Sequence, residues 1–350
     1  MSTRVRYAAA FGLGVLLSGC AAVPSPQAPR EGGLPDLTSF ILMRTDAGAH
    51  TPQVVSVDQA ADVLATYDVI FIGESHRHPG NHLAQMALFR AIHARAPRLS
   101  LAMEQFERDV QPVLDDYLAG KVGETPFMQK ARAWNNYATS YRPLVEFAKE
   151  HKLPVIAGNA PEGIVRCVGR EGEAFLARMK PEQRGWAAAQ LHTGDGPYKD
   201  KFLGFVSHDA GHGGDGAKEK PKERKPPSEA ALRSFAAQVT RDDTMAESIA
   251  LHLQKNPGRK VVQINGSFHS DEFLGTAERL RMRMPNVKIA VVSPTQPEDP
   301  AHPTVSKEDA KGGTFALVLR GLPEAYANDA EMKEAVTKQI EARGKTKCEM

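Results

Sequence analysis

The sequence predicts an α/β fold, with a mostly parallel central sheet flanked by helices and a smaller helical insertion. Six short segments are largely apolar and rich in β-branched residues, which is typical of buried parallel strands. They cover residues 67–73, 98–104, 153–159, 259–269, 287–293 and 314–321. Segments with a helical pattern lie among them, at residues 82–95, 141–151, 244–256 and 270–283. This alternation of strand and helix indicates crossover connections and hence a parallel sheet.

Length and composition agree with a folded domain and argue against one class of partner. The chain has 350 residues, of which 41% are hydrophobic and 25% charged, enough for one large domain or two small ones. The formal net charge is +2. Nucleic-acid binding needs a basic surface, so the near-neutral balance argues against nucleic acid as the main partner.

The first twenty residues, MSTRVRYAAAFGLGVLLSGC, have the pattern of a secretion signal. Arg4 and Arg6 precede an apolar run, residues 7–17, that is too short to cross a bilayer. The run ends at Cys20 in LSGC, which resembles the lipobox of bacterial lipoproteins. The resemblance implies a signal peptide over residues 1–19 and a mature N-terminus at Cys20 that carries acyl chains such as palmitate. It favours a lipid anchor on the periplasmic side of the outer membrane, and an ordinary secretory signal with a chance Cys is the alternative.

Changes in composition divide the rest of the chain. We predict a tether at residues 20–37, an α/β core at 38–160 and 235–322, a helical insertion at 161–234 and a C-terminal helix or tail at 323–350. The Gly-, Pro- and charge-rich stretch 211–230 is predicted to be a mobile surface loop. Cys167 and Cys348 are expected to form a disulfide in an oxidising compartment, worth on the order of 2–4 kcal/mol.

Polar or ionisable side chains follow several of the predicted strands. Ligands of open parallel sheets bind beyond the carboxyl ends of the strands, so these residues are expected to share one site. They are Glu74, His76, Glu104, Asn159 and His269. His82 opens the next helix and is interpreted as pointing at the site, whereas His78 is expected to be solvated. Asn159 is equally well explained as a helix cap.

Three chemistries fit such a set. A His paired with Glu can act as a general base in hydrolysis. His76 and His269, with Glu74 or Glu104, can bind a divalent metal. A His or a nearby Tyr can bind haem iron.

Five segments resemble the ChaN-like family of haem-binding uptake lipoproteins, which is related in fold to erythromycin esterases and TIKI metalloproteases. They read GESHRHPGNH, LAMEQF, WNNYATSYRPLVEFAKEHKLPVIAGNAP, AAQVTRDDTMAESIA and NGSFHSDEFLGTAERL, and the resemblance covers residues 59–160 and 235–295. It implies binding of haem or a related iron compound, linked to iron acquisition. It places Glu74, His76, His82, Glu104, Trp134, Asn159, Gln238 and His269 on motif positions.

The iron ligand stays open at this stage. Tyr198 is the first candidate, because tyrosinate suits haem scavenging, and Tyr137, Tyr141, His76 and His269 are alternatives. The competing function is a Glu/His-dependent hydrolase of esterase or metallopeptidase type, and a scaffold with an idle site is a third. A homodimer is kept open. If the cluster is functional, the variants His76→Ala and His269→Ala are both expected to fold normally and lose the ligand.

Overall fold

The computed structural model describes residues 33–45, 52–210, 226–344 and 348. Its strands are β1 Phe40–Arg44, β2 Gln53–Val55, β3 Val69–Glu74, β4 Leu99–Glu107, β5 Val155–Asn159, β6 Lys260–Gly266, β7 Ile289–Thr295 and β8 Phe315–Leu319. They form one eight-stranded sheet in the order β2-β1-β8-β7-β3-β6-β4-β5. β3 to β8 are parallel where they pair, and β1 is antiparallel to β2 and β8. The predicted α/β class is confirmed.

The six predicted strands are β3 to β8, and the two antiparallel strands at one edge were not predicted. β2 has only three residues, none of them buried, so it gives no apolar pattern to recognise. β4 continues to Glu107, three residues beyond the predicted end, and its register with β5 shifts between Met103 and Glu107.

Helices cover both faces of the sheet. They are α1 Val57–Leu64, α2 Pro79–Arg95, α3 Gln111–Leu118, α4 Glu124–Lys130, α5 Arg142–Glu150, α6 Glu162–Glu171, α7 Pro181–Arg184, α8 Pro197–Ala210, α9 Glu229–Lys255, α10 Gly275–Arg283 and α11 Asp329–Gly344. Alternate residues of a strand face opposite sides. Ile70 and Ile72 therefore pack in the core under α1 to α5, while Val69 and Phe71 pack against α9 and α10.

The insertion carries a small core of its own. Ile164, Val168 and Phe175 pack there beside Cys167, which forms a disulfide with Cys348 across a sequence separation of 181 residues. The predicted loop 211–230 lies mostly outside the described residues, but its last residues differ from the prediction because α9 begins at Glu229.

The predicted segments at the two ends are described only in part. The signal peptide, Cys20 and most of the tether lie outside the described residues. Leu34, at the end of the predicted tether, is buried against Ile41 and Val318. Within the described ranges, no helix is long and apolar enough to cross a membrane.

Candidate functional site

The site lies at the carboxyl ends of β3, β6 and β4, which are neighbours in the sheet. Glu74 is the last residue of β3, Glu104 follows Met103, the last residue of β4 that pairs with β6, and His269 closes a turn, Ser267–His269, that follows β6. The four predicted residues form two carboxylate–histidine pairs, Glu74 with His76 and Glu104 with His269. The pairs meet at Gly266, where β6 ends.

Glu74 is the centre of the first pair and is almost fully buried. Its Oε1 accepts hydrogen bonds from the Tyr141 hydroxyl at 2.6 Å and from His76 Nδ1 at 2.8 Å. Its Oε2 accepts one from Gln85 Nε2 at 3.0 Å. These three hydrogen bonds satisfy a carboxylate that is buried away from water.

His76 is the accessible member of the pair, with a side chain that is 51% exposed. The hydrogen bond from Nδ1 to Glu74 raises the pKa of His76 and turns Nε2 away from the carboxylate. Within the described residues Nε2 makes no hydrogen bond. The indole of Trp134, which is half-buried, meets the imidazole edge-on at a centroid distance of 5.5 Å.

Gly266 provides the space that the His76 ring occupies. A Cβ built on Gly266 would lie 2.8 Å from His76 Nε2 and 3.0 Å from its Cε1. Any other residue at this position would therefore displace the ring. The backbone N–H of Gly266 donates to Glu104 Oε2 at 2.6 Å, which joins the two halves of the site.

The second pair is part of a buried charged triad. His269 Nδ1 donates to Asp242 Oδ1 at 2.8 Å, and its Nε2 lies 3.4 Å from Glu104 Oε1. Burial alone would lower the pKa of His269, but the carboxylates of Glu104 and Asp242 raise it to about 10. Burial alone would raise the pKa of Glu104, but the His269 imidazolium lowers it to about 2. His269 is therefore a cation at neutral pH.

His82 is buried, and its tautomer is fixed. Gln85 donates its Nε2 to Glu74, so its Oε1 must accept the hydrogen bond from His82 Nδ1, which is 2.9 Å away. His82 Nε2 is buried without a hydrogen-bond partner. The side chain of Gln105 directs its Nε2 to Glu74 Oε1, 3.4 Å away. Its Oε1 is also buried without a hydrogen-bond partner.

Comparison with known proteins identifies the family. A sequence model described as "Haem-binding uptake, Tiki superfamily, ChaN" matches residues 60–280, which is more than half of the chain. The chain belongs to this ChaN family. The resemblance predicted from the motifs is confirmed, and every site residue described above lies inside the matched range. No curated protein matches the chain.

Solved structures agree on the fold. The structure titled "Cofacial heme binding to ChaN of Campylobacter jejuni" superposes with a TM-score of 0.57 at 18% identity, covering 81% of this chain and 97% of that one. A mutant of the erythromycin esterase EreC in its open conformation gives a TM-score of 0.44 at 12% identity, covering 86% and 87%. The RRSP effector domain of a MARTX toxin from Vibrio vulnificus CMCP6 gives 0.36 at 16%, covering 79% and 41%. At 18% identity the first match shows only that the fold is shared with ChaN. The other two superpose too poorly to support any conclusion about this chain.

The three Tyr residues considered as iron ligands are all buried. Tyr198 is 2% exposed and donates its hydroxyl to Asp242 Oδ2 at 2.7 Å. Burial and Asp242 raise the pKa of Tyr198 well above its usual value, so it is not a tyrosinate here. Tyr137 packs against Phe106 and Phe127 in the main core. Tyr141 is buried as a hydrogen-bond donor to Glu74.

Asn159 and Gln238 support the site from behind. Asn159 Nδ2 donates to the backbone carbonyl of Glu104 at 3.0 Å, and its Oδ1 accepts from Ala160 N, so it shapes the end of β5 and does not cap α6. Gln238 Nε2 donates to the Tyr198 hydroxyl at 3.1 Å and lies 3.3 Å from His269 Nδ1.

The expectation that His78 is solvated is wrong. His78 is fully buried as the N-cap of α2, where its Nδ1 accepts from the Asn81 backbone N–H and its Nε2 bonds the Arg320 carbonyl at 2.7 Å. Pro79 at the first position of α2 fixes the chain direction that makes this cap possible.

Sequence reasoning missed Asp242, Gln85 and Gln105. A signal was available for the first two, because Asp242 lies four residues after Gln238 on α9, and Gln85 lies three residues after His82 on α2. Residues three or four apart share a helix face.

A divalent metal is not supported by the donor set. No group of three or more His, Cys, Asp or Glu side chains in the described ranges could hold a metal ion. Both nitrogens of His269 face carboxylates, so its predicted role as a metal ligand conflicts with this geometry.

Proposed function

We propose that the protein binds haem or a related iron compound and that His76 Nε2 is the iron ligand. The observation that carries the proposal is the state of His76: its ring is half exposed, its Nδ1 is held by Glu74, and its Nε2 has no partner in the described structure. Membership of the ChaN family supports haem as the ligand.

Haem would supply an iron that takes a ligand atom from the protein. The residues of the site meet the needs of such a ligand. Histidines that bind metals usually give their other ring N–H to a carboxylate, which fixes the tautomer and makes the free nitrogen more basic. Glu74 does this for His76, Gly266 leaves room for the ring, and Trp134 gives an aromatic wall beside it.

The other candidates fit this role less well. Tyr198 and His269 are committed to the buried carboxylate of Asp242. His82 has a free Nε2, but the atom is buried, so haem could reach it only after a rearrangement. Among these candidates, His76 therefore combines an exposed ring with an Nε2 that makes no hydrogen bond in the described structure.

A haem titration tests the proposal. Purified protein is expected to give a saturable Soret shift, and His76→Ala should abolish the shift or change its position. The matched control is His302→Ala, since His302 also gives Nδ1 to a carboxylate, Asp299 at 2.9 Å, and is exposed. A wild-type protein that shows no saturable shift, or a His76→Ala variant with unchanged affinity and spectrum, would contradict the proposal.

The biological setting is part of the proposal. A lipid on Cys20 would hold the domain on the periplasmic side of the outer membrane, where captured haem could enter iron acquisition. The supporting observation is the lipobox, because Cys20 itself lies outside the described residues.

A hydrolase is the second candidate, and one observation favours it. The Glu74–His76 pair has the arrangement of a general base held by a carboxylate, with Nε2 free to take a proton from water. Hydrolysis of ester substrates that is lost in His76→Ala, in a protein with no Soret shift, would support this function over haem binding.

A further inference from the structure

An exposed aromatic patch lies beside the site, between α8 and the turn that carries His269. Phe205 is 55% exposed and is the most exposed Phe in the described part of the chain. Its ring centroid lies 5.5 Å from that of Phe268, the residue before His269. Val206, half-buried, packs with them. We call Phe205, Val206 and Phe268 the α8 patch.

The patch rests on a firm base. Tyr198, Phe202, Phe235 and Val239 form a buried cluster directly beneath it. The rings of Phe202 and Phe235 are 5.5 Å apart, and the Phe268 ring lies 5.8 Å from Tyr198. Because these side chains are buried and packed against one another, the exposed Phe205 ring and the half-buried Phe268 ring are held in place before any ligand binds.

One edge of the patch is cationic. Lys201 Nζ lies 5.3 Å from the centre of the Phe268 ring and 2.9 Å from Glu272 Oε1. The Glu272 side chain is about half exposed, so an incoming carboxylate can take its place without burying an unpaired charge. The patch therefore matches a flat, apolar molecule that carries anionic groups at its rim.

The patch is linked to the iron-ligand candidate through the turn that follows β6. The His76 ring lies over Gly266, and Phe268 follows Gly266 by two residues in the same turn. Trp134 lies next to His76 as well. One short turn therefore connects the residue beneath the His76 ring to the Phe268 ring of the patch.

We propose that the α8 patch receives the porphyrin of the haem whose iron His76 binds, and that Lys201 pairs with a propionate carboxylate. The inference rests on the proposed function, since it names a second contact surface for the same ligand. Among flat anionic ligands, a porphyrin combines the extended apolar face and the peripheral carboxylates that this surface matches.

Metal-free protoporphyrin IX separates the patch from the iron ligand. Its binding can be followed by its own fluorescence and needs no axial ligand. We expect Phe205→Ser to weaken both haem and protoporphyrin IX by roughly tenfold or more, the loss typical of one large apolar contact. His76→Ala should weaken haem alone. The control is Leu251→Ser on α9, where a comparably exposed apolar residue (44%) lies away from the patch.

The dimethyl ester of protoporphyrin IX tests the charge contact. Lys201→Met keeps the apolar stem and removes the ammonium group, so it should weaken the free acid several-fold and leave the ester unchanged. Lys338→Met is the control, because Lys338 is an exposed lysine on α11 that pairs with Glu334.

The outcomes distinguish the two claims. If haem binds through His76 and Phe205→Ser leaves both affinities unchanged, the α8 patch is not the porphyrin surface and the proposed function stands. If protoporphyrin IX binds in a Phe205-dependent way but His76→Ala changes nothing, the iron ligand is wrong and the patch stands. If sedimentation shows a dimer that Phe205→Ser dissociates without changing porphyrin affinity, the patch binds a second copy of the chain, and the inference is overturned.

Discussion

The variant His269→Ala is expected to destabilise the protein strongly, because it removes the cation from a buried triad. Glu104 and Asp242 are 5% and 0% exposed, and His269 lies between them. Breaking a buried ion pair by deleting one partner typically costs 3–5 kcal/mol, since the remaining charge cannot be solvated.

The hydrogen bonds that remain in the His269→Ala variant determine how much stability is lost. Without His269, Glu104 keeps its bond from the Gly266 N–H, and Asp242 keeps those from the hydroxyls of Tyr198 and Thr276. Each carboxylate is therefore partly satisfied, and we expect a loss of about 3 kcal/mol at pH 7, the lower end of the range. The loss should shrink at acidic pH, where the two carboxylates can take up protons instead.

His76→Ala is the contrasting variant. The His76 side chain is half exposed, and Glu74 retains donors from Tyr141 and Gln85 when it is removed. The His76→Ala variant should therefore lose no more than about 1 kcal/mol of unfolding free energy. Sequence reasoning expected both variants to fold normally, and the structure separates them.

Urea unfolding at pH 7, followed by far-UV circular dichroism, measures both variants against wild type. The dependence of the unfolding free energy on urea concentration should be the same for His269→Ala and wild type, while the urea midpoint of the variant falls. This result would show that stability has changed and that the surface exposed on unfolding has not. His302→Ala, at an exposed His–Asp pair, is the control. If the free energy of unfolding of His269→Ala lies within about 1 kcal/mol of the wild-type value, the role of His269 as a buried counter-ion is refuted.

Three other predictions have independent measurements. The pKa of His269 is raised to about 10, so its contribution to stability is complete below about pH 6.5 and is lost as the pH rises toward 10. The pKa of Glu104 is lowered to about 2, so its contribution is complete above about pH 4.5 and is lost as the pH falls toward 2. Melting temperatures across pH should show both losses, and a curve unchanged in Glu104→Gln would count against them. Reduction of the Cys167–Cys348 disulfide, which closes a separation of 181 residues, should cost roughly 2–5 kcal/mol, and a reductant should lower the melting temperature of wild type but not of Cys348→Ser. Cys20→Ala should leave the outer-membrane fraction, and unchanged fractionation would reject the lipid anchor.

The sequence could predict the fold and the location of the site because both depend on local patterns. Buried parallel strands give continuous apolar runs, and the residues after them are brought to one edge by the topology. Glu74, His76 and His269 were predicted to lie close together in this way, and the structure places all three near the end of β6. The edge strand β2 was missed, since it has three residues and no buried side chain.

Hydrogen-bond partners could not be predicted from the same patterns. Whether His78 is solvated or buried depends on the carbonyl of Arg320, which is 242 residues away in the chain. The pairing of His269 with Asp242 likewise requires α9 to pass behind the turn after β6. Such contacts are set by tertiary packing and leave no periodic signal along the chain.

The Glu74–His76 pair and the buried triad of Glu104, His269 and Asp242 differ in what they can contact, and both adjoin Gly266. The triad of Glu104, His269 and Asp242 is buried and internally neutralised, so it offers no free lone pair to a ligand. Its contact with the open half runs through the backbone, where Glu104 holds the Gly266 N–H and the His76 ring lies over the position that a Cβ would fill. A site that needs one imidazole held at a fixed place gains from a rigid support whose own charges are already paired. We therefore interpret the triad as the support that fixes Gly266, and the Glu74–His76 pair as the part that contacts the ligand.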